Sequence, residues 1–175
     1  MTPGWSIVIP AFNEARRLPS FLDTVVAYFE GRDELYEVIV VDDGSTDRTS
    51  AIVEARRLAA VKVLRLQRNA GKGAAVRAGM LAARGAYRPF ADADGATPIE
   101  KLKRLEPALM AGADVVIGSR ALVDSGVSVT MRRHRVVADR MFNWLVARVG
   151  LEGVAEASAS TSSSSSGPGP PAVVL

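Results

Sequence analysis

The chain has 175 residues and a mass of 18.5 kDa, one domain at the usual size of about 100 to 200 residues. Its 48% hydrophobic and 23% charged residues are a globular composition, neither disordered nor collagen-like, and a net charge of +3 does not imply nucleic-acid binding. There is no Cys and one His, His134, which excludes disulfides, thiolate nucleophiles, cysteine-held metals and a polyhistidine centre within one chain; a metal would sit on oxygen ligands.

In chain order, residues 5–10 (WSIVIP) form a short apolar run ended by Pro10, the pattern of a buried strand. Asn13 is a candidate cap for a helix over residues 14–29, where Leu18, Leu22, Val25, Val26 and Phe29 recur at helical spacing and Pro19 limits the first turns. Residues 37–41 (EVIVV) read as a second strand that delivers Asp42, Asp43 and Gly44. Ser45 or Thr46 then starts a helix expected over residues 47–60. Residues 61–66 (VKVLRL) alternate and predict a third, more exposed strand.

A Gly-rich turn at residues 69–73 (NAGKG) precedes an alanine-rich helix through about Ala83. Residues 87–91 predict a fourth strand with Asp92 and Asp94 at its end. Thr97 and Pro98 supply a cap and an N1 proline for a helix carrying Ile99, Leu102, Leu105 and Leu109. Residues 113–117 predict a fifth strand, ending at Gly118, Ser119 and Arg120. Strands alternating with helices, and strands that are nearly continuous apolar runs, predict a mostly parallel sheet covered on both faces. In such sheets ligands lie beyond the carboxyl ends of the strands, where this chain carries nearly all its unusual polar groups.

Beyond Arg120, residues 124–130 are polar and read as a loop, and residues 136–149 (VVADRMFNWLVARV) as an amphipathic helix bearing Phe142, Trp144 and Leu145. Its apolar stripe can pack on the sheet or lie along a membrane or lipid acceptor. Residues 120–149 hold six Arg against two Asp, which can face an anionic ligand or surface or simply be solvated. Thirteen of the eighteen residues from 158 to 175 are Ser, Thr, Gly or Pro, so this stretch is expected to be a disordered tail on a folding unit of about 155 residues. The organisation expected is a core over 1–120, a loop and amphipathic helix over 121–157, and the tail over 158–175. The N-terminus lacks the layout of a secretory signal, and no window approaches 18 apolar residues. The expected location is cytoplasmic, with peripheral attachment at the cytoplasmic face of a membrane left open.

Asp92 and Asp94, at i, i+2 spacing on a strand end, suit Mg²⁺ or Mn²⁺ shared with a nucleotide diphosphate, although an isolated D-x-D is very common and on its own is far more often an acidic turn. An EF-type calcium loop fails, because Ala96 and Lys103 occupy two ligand positions. Asp42 and Asp43 can accept hydrogen bonds from a base or ribose, or can cap a helix or form an Asx turn. Lys72 sits in a glycine turn that is not a Walker A loop, since Gly73 stands where Ser or Thr is required, and no GxGxxG follows the first strand. Arg120 has the planar donor fork that clamps phosphate.

Taken together, SIVIPAFNEARRLPSFL, YEVIVVDDGSTDRT, RNAGKGAAVRAGM, FADADGATP and ADVVIGSR resemble, in order and spacing from residue 5 to about 120, the inverting family 2 glycosyltransferases. The resemblance is to the branch that charges polyprenyl or dolichyl phosphate, and FADADGATP is closer to its glucosyl than to its mannosyl members. It implies a GT-A (Rossmann-like) α/β fold, a mostly parallel sheet flanked by helices. It further implies that Pro10, Ala11, Glu14, Asp42 and Asp43 surround the base and ribose, that Asp92 and Asp94 meet the ribose and a divalent metal, and that Lys72 lies near the nucleotide. Arg120 would meet phosphate, with Arg135 as a second such arginine ahead of Arg132 and Arg133; His134 reads as structural.

The implied reaction moves a sugar from a nucleoside diphosphate sugar, UDP-glucose or GDP-mannose, to a polyprenyl or dolichyl phosphate, with Asp94, Asp92 and Arg120 as the catalytic residues. Members of the family continue past the amphipathic helix with a segment resembling D-T-Q-C-G-F-K, whereas this chain runs from Gly150 into LEGVAEASAS. The donor half is therefore expected to be present and the acceptor half curtailed. Three alternatives stay open: transfer to a cell-envelope glycan or glycolipid, nucleotide-sugar binding without turnover, and activity that needs a membrane-subunit partner.

Overall fold

The computed structural model describes residues 3–118 and the backbone of 155–156 and 172–174. Five strands and four helices alternate through residue 117: β1 (Trp5–Ala11), α1 (Leu18–Glu30), β2 (Tyr36–Asp42), α2 (Thr49–Ala55), β3 (Val61–Arg65), α3 (Lys72–Ala82), β4 (Arg88–Phe90), α4 (Leu102–Met110) and β5 (Val115–Ile117). A single 3-10 turn, Ile99–Lys101, leads into α4. Two short strands complete the sheet, β6 (Ala155–Glu156) and β7 (Ala172–Val174).

The sheet order is β3-β2-β1-β4-β7-β5-β6, and every neighbouring pair is parallel. β1 and β2 are in register from Trp5 opposite Tyr36 to Ala11 opposite Asp42. Strand order reverses at β1, which lies between β2 and β4, and the crevice of an open α/β sheet opens at such a reversal.

β1 is buried along its whole length because both of its faces are covered. On one face Ile7 and Ile9 pack with Leu22, Val25 and Phe29 of α1 and with Leu102, Leu105 and Leu109 of α4. On the other, Val8, Ile39 and Val41 meet Ala75 of α3. Full burial of such a side chain contributes about 1.5–3 kcal/mol, so the continuous apolar strand runs dominate this assembly. α3 lies very close to the sheet: a Cβ on Gly79 would stand 2.4 Å from Val8 Cγ1 and 2.9 Å from Val41 Cγ2.

The opposite end of the sheet is closed by polar clips. Glu37 is buried, accepts from Ser6 Oγ at 2.7 Å and from the Arg84 N–H at 2.9 Å, and pairs with Lys62 Nζ at 2.8 Å. Burial pushes the Glu37 carboxyl up, but the hydrogen bonds from Lys62, Arg84 and Ser6 outweigh it and hold the group below the ordinary range. Arg32 lies over the Trp5 and Tyr28 rings and pairs with Glu106 at 2.7 Å, tying the turn after α1 to α4.

Several expectations need correction. α1 begins at Leu18 rather than residue 14, because residues 15–17 form a turn, and Asn13 does not cap it. α2 stops at Ala55, short of residue 60, since Arg57 takes a φ of 50° and breaks the helical path. Within the stretch expected as a tail, Ala172–Val174 pairs with both β4 and β5. These apolar, mostly β-branched residues come after a proline run that can precede a strand, and an average over residues 158–175 hides them. Arg120, Arg132, Arg133, His134, Arg135 and the expected helix over 136–149 lie outside the described residues.

Candidate functional site

The carboxyl ends of β1, β2 and β4 and the loop before α3 line an open cavity of about 320 Å³. β1 and its loop contribute Pro10, Ala11, Phe12 and Glu14; β2 contributes Asp43; the glycine loop and α3 contribute Asn69, Gly71, Lys72 and Ala75; and the residues after β4 contribute Asp92, Ala93 and Asp94. Seven of the expected site residues thus line one space: Pro10, Ala11, Glu14, Asp43, Lys72, Asp92 and Asp94. Asp42 is absent from that lining, and Arg120 and Arg135 fall outside the described residues.

The two aspartates after β2 have distinct local tasks. Asp42 is 5% exposed; its Oδ1 accepts from the Ser45 N–H at 2.8 Å and its Oδ2 from the Ser50 hydroxyl. The Ser45 bond spans three residues, one more than an Asx turn, and with the Ser50 bond it ties the end of β2 to the loop and helix that follow. Asp43 is 3% exposed and accepts from the Ala70 N–H and the Gly71 N–H, each at 2.8 Å. The β2 end thereby fixes the loop that begins α3, and Gly71, at a φ of +90°, supplies the left-handed turn into Lys72. Gly44 is also required: at φ +70°, a Cβ there would stand 2.6 Å from the Arg68 carbonyl carbon.

The loops after β1 and β2 are stapled to each other. Asn13, at φ 55°, accepts on Oδ1 from the Thr46 N–H at 2.9 Å and the Asp47 N–H at 3.3 Å, while its own N–H donates to Ser45 Oγ at 2.9 Å. The Glu14 N–H donates to Thr49 Oγ1 at 2.9 Å, and the Ala15 N–H to Asp47 Oδ2 at 3.2 Å. Burial pushes Asp47 up, but hydrogen bonds from the Thr49 hydroxyl and backbone and from Ala15 hold it below its usual value. Sequence reasoning assigned Asn13 to a cap and missed this staple, whose partners are more than thirty residues away.

Glu14 is gripped by Arg17, which donates from Nε to Oε2 at 2.7 Å and from Nη2 to Oε1. The hydrogen bond to Glu14, and then its charge, raise the Arg17 guanidinium above its ordinary value; desolvation opposes this and Asp94 adds to it. Arg17 was not among the expected residues, although Glu14 and Arg17 stand at the i, i+3 spacing of a charge pair. It also lines an adjoining cavity of about 390 Å³ that includes Ser20, Thr24 and Glu100 and shares Asp94 with the first.

On the β4 side, Asp94 Oδ1 accepts from the Ala96 N–H at 2.9 Å, and Asp92 Oδ1 pairs with Lys72 Nζ at 2.5 Å. Among the described residues, no three carboxylate, imidazole or thiolate side chains gather where a metal could be held by protein alone. Two hard oxygen donors on one cavity wall fit a divalent cation completed by phosphate oxygens and water, the coordination Mg²⁺ and Mn²⁺ take beside nucleotides. Chemically, the cavity offers small apolar surface for a flat ring, carboxylates for hydroxyl or cation ligands, and a lysine for an anion.

The model of the glycosyl transferase family 2 domain matches residues 6–160. A dolichyl-phosphate beta-glucosyltransferase of Drosophila melanogaster is 41% identical over 156 residues, covering 81% of this chain and 48% of that protein. The chain spans about half the length of the curated relatives it matches. Among solved structures, glucosyl-3-phosphoglycerate synthase from Mycobacterium tuberculosis in complex with UDP aligns with a TM-score of 0.56 at 25% identity, covering 86% of this chain and 53% of that one. A mannosyltransferase from Pyrobaculum calidifontis in complex with GDP-Man and Mn²⁺ aligns at 0.53 and 25% identity, covering 69% and 36%. The parallel sheet with its crevice at β1 and β4 is the GT-A architecture of these neighbours, and the chain belongs to glycosyl transferase family 2.

Proposed function

We propose that this chain transfers a hexosyl group from a nucleoside diphosphate sugar, UDP-glucose or GDP-mannose, to a polyprenyl or dolichyl phosphate with inversion at the anomeric carbon. The observation that carries the reading is the meeting of Asp92, Asp94 and Lys72 with Pro10 and Ala11 in one cavity at the reversal of strand order. The Drosophila relative's name supports a dolichyl phosphate acceptor and a glucosyl group. The UDP and GDP-Man complexes of the two neighbours support a nucleotide in this crevice.

In this reading, Pro10 and Ala11 flank the base, Glu14, held by Arg17, accepts from the ribose, and Lys72 faces the diphosphate. An acceptor phosphate oxygen forms its bond to the anomeric carbon as the bond from that carbon to the donor's β-phosphate oxygen breaks. The electron pair leaves with the nucleoside diphosphate. A phosphate acceptor is already ionised at neutral pH, so the site needs no strong general base. Asp94 and Asp92 would hold Mg²⁺ or Mn²⁺, which when bound neutralises charge on the departing diphosphate. Arg120 and Arg135 join the phosphate contacts in this proposal. Among the described residues no helix is long and apolar enough to cross a membrane.

The test incubates the chain with UDP-glucose or GDP-mannose, Mn²⁺ and a short polyprenyl phosphate. Acceptor-dependent formation of the sugar-phosphate lipid, lost in Asp94→Asn, is the expected result. Donor binding without transfer under all these conditions refutes transfer and leaves a nucleotide-sugar-binding protein.

A further inference from the structure

The two carboxylates after β4 are held in different ways. Asp94 is fixed by a backbone N–H two residues on, whereas Asp92 is met by the ammonium of a side chain from another element, Lys72 of α3. Nothing in the packing enforces that pair: the side chains are 55% and 45% exposed. What does enforce it is the loop. Asp43 locks the Ala70 and Gly71 N–H groups, so the α-carbon of Lys72 is fixed at the cavity wall, and its Nζ lies over the Phe90 ring, 5.9 Å from the centroid. The ammonium therefore lies beside an oxygen that a divalent cation would take.

We propose that Lys72 is a place-holder for the cation: it neutralises Asp92 in the nucleotide-free protein and yields that carboxylate when metal arrives with a nucleotide diphosphate. This rests on the metal-and-diphosphate reading of the cavity and deepens it. An ammonium and a divalent ion cannot share one carboxylate oxygen without strong repulsion. The four-carbon lysine stem lets the displaced ammonium turn to the phosphate oxygens, where its charge is again matched. Metal alone is thus opposed by Lys72, while metal with diphosphate is not, and binding of the two is cooperative in a way that is reciprocal by linkage.

The experiment titrates Mn²⁺ by electron paramagnetic resonance into the full chain, wild type, Lys72→Gln, Asp92→Asn and the double variant, first without and then with UDP. Without nucleotide, Lys72→Gln should bind Mn²⁺ about two- to fivefold tighter, the range for loss of an exposed competing ion pair. The double variant should show no gain over Asp92→Asn. With UDP present, Lys72→Gln should lose its advantage, because it has no ammonium to give to the phosphates.

Equal Mn²⁺ affinities in wild type and Lys72→Gln, or no Mn²⁺ binding by either, overturn the proposal. A gain that persists in the Asp92→Asn background also overturns it, since that is a general field effect rather than release of this carboxylate. Because the first titration contains no nucleotide, failure of the sugar-transfer reading and failure of the place-holder are separately visible. Thermal melting of each variant confirms that a common fold is being compared.

Discussion

Asp43 offers the sharpest separation between a ligand contact and a structural anchor. Both of its oxygens accept backbone N–H groups of the glycine loop at 2.8 Å, and the residue is 3% exposed. A hydrogen bond to a charged group contributes about 1.5–3 kcal/mol net, so Asp43→Ala, which removes both, should cost about 3–6 kcal/mol. Asp43→Asn keeps one acceptor oxygen and sets an amide NH₂ against a backbone N–H. The Gly71 N–H retains Asn69 Oδ1 at 3.1 Å, which moderates the cost to about 2 kcal/mol. For a chain of this size that lowers Tm by about 4–8 °C.

The assay pairs thermal melting by circular dichroism with UDP binding by calorimetry. Weakened UDP binding should appear together with the lowered Tm, because the loop that presents Lys72 has lost its tether. An Asp43→Asn protein that melts with wild type yet no longer binds UDP would refute the anchor and make Asp43 a direct nucleotide ligand.

Two further outcomes are expected. Gly79→Val should unfold the chain or lower its stability by several kcal/mol, since even the first added carbon meets Val8 Cγ1 at 2.4 Å; chemical denaturation measures it, and a loss under about 1 kcal/mol contradicts the close approach of α3. Glu37 has a folded pKa below its unfolded value, so its contribution is present above the ordinary carboxylate value of about 4.3 and is lost as pH falls through the folded value. Unfolding free energy should therefore fall with acid in that window in wild type and less steeply in Glu37→Gln; parallel curves would remove Glu37 as the cause.

The strand and helix alternation was legible because β1 and β2 are buried on both faces, which leaves unbroken apolar runs such as IVI and VIVV. The placement of Asp92, Asp94 and Lys72 on one rim came from the same reasoning, since parallel strands deliver their carboxyl ends to one edge. The features that stayed hidden depended on contacts between distant segments. Asn13 looks like a cap until the loop after β2 lies beside it, and the backbone groups that occupy Asp43 come into reach only when β2 and the glycine loop meet. The place of Ala172–Val174 between β4 and β5 is a pairing across more than fifty residues, which no local pattern announces.

The staple between the loops after β1 and β2 gives the cavity two unlike jaws. On one side Asn13, Glu14, Ala15, Ser45, Thr46, Asp47 and Thr49 are cross-linked into a single unit built on two strands in full register. On the other, β4 meets β1 at one registered position, Val8 with Phe90, and the loop after β4 is closed by its own short bonds, Gly95 to Asp92 and Ala96 to Asp94. In the proposed reading, a nucleotide entering this crevice would meet a pre-set surface for its ring on the first jaw and spend little there on ordering. Adjustment to the width and charge of the ligand beyond its ring would fall to the second jaw, whose Asp92 pairs across the cavity with the ammonium of Lys72.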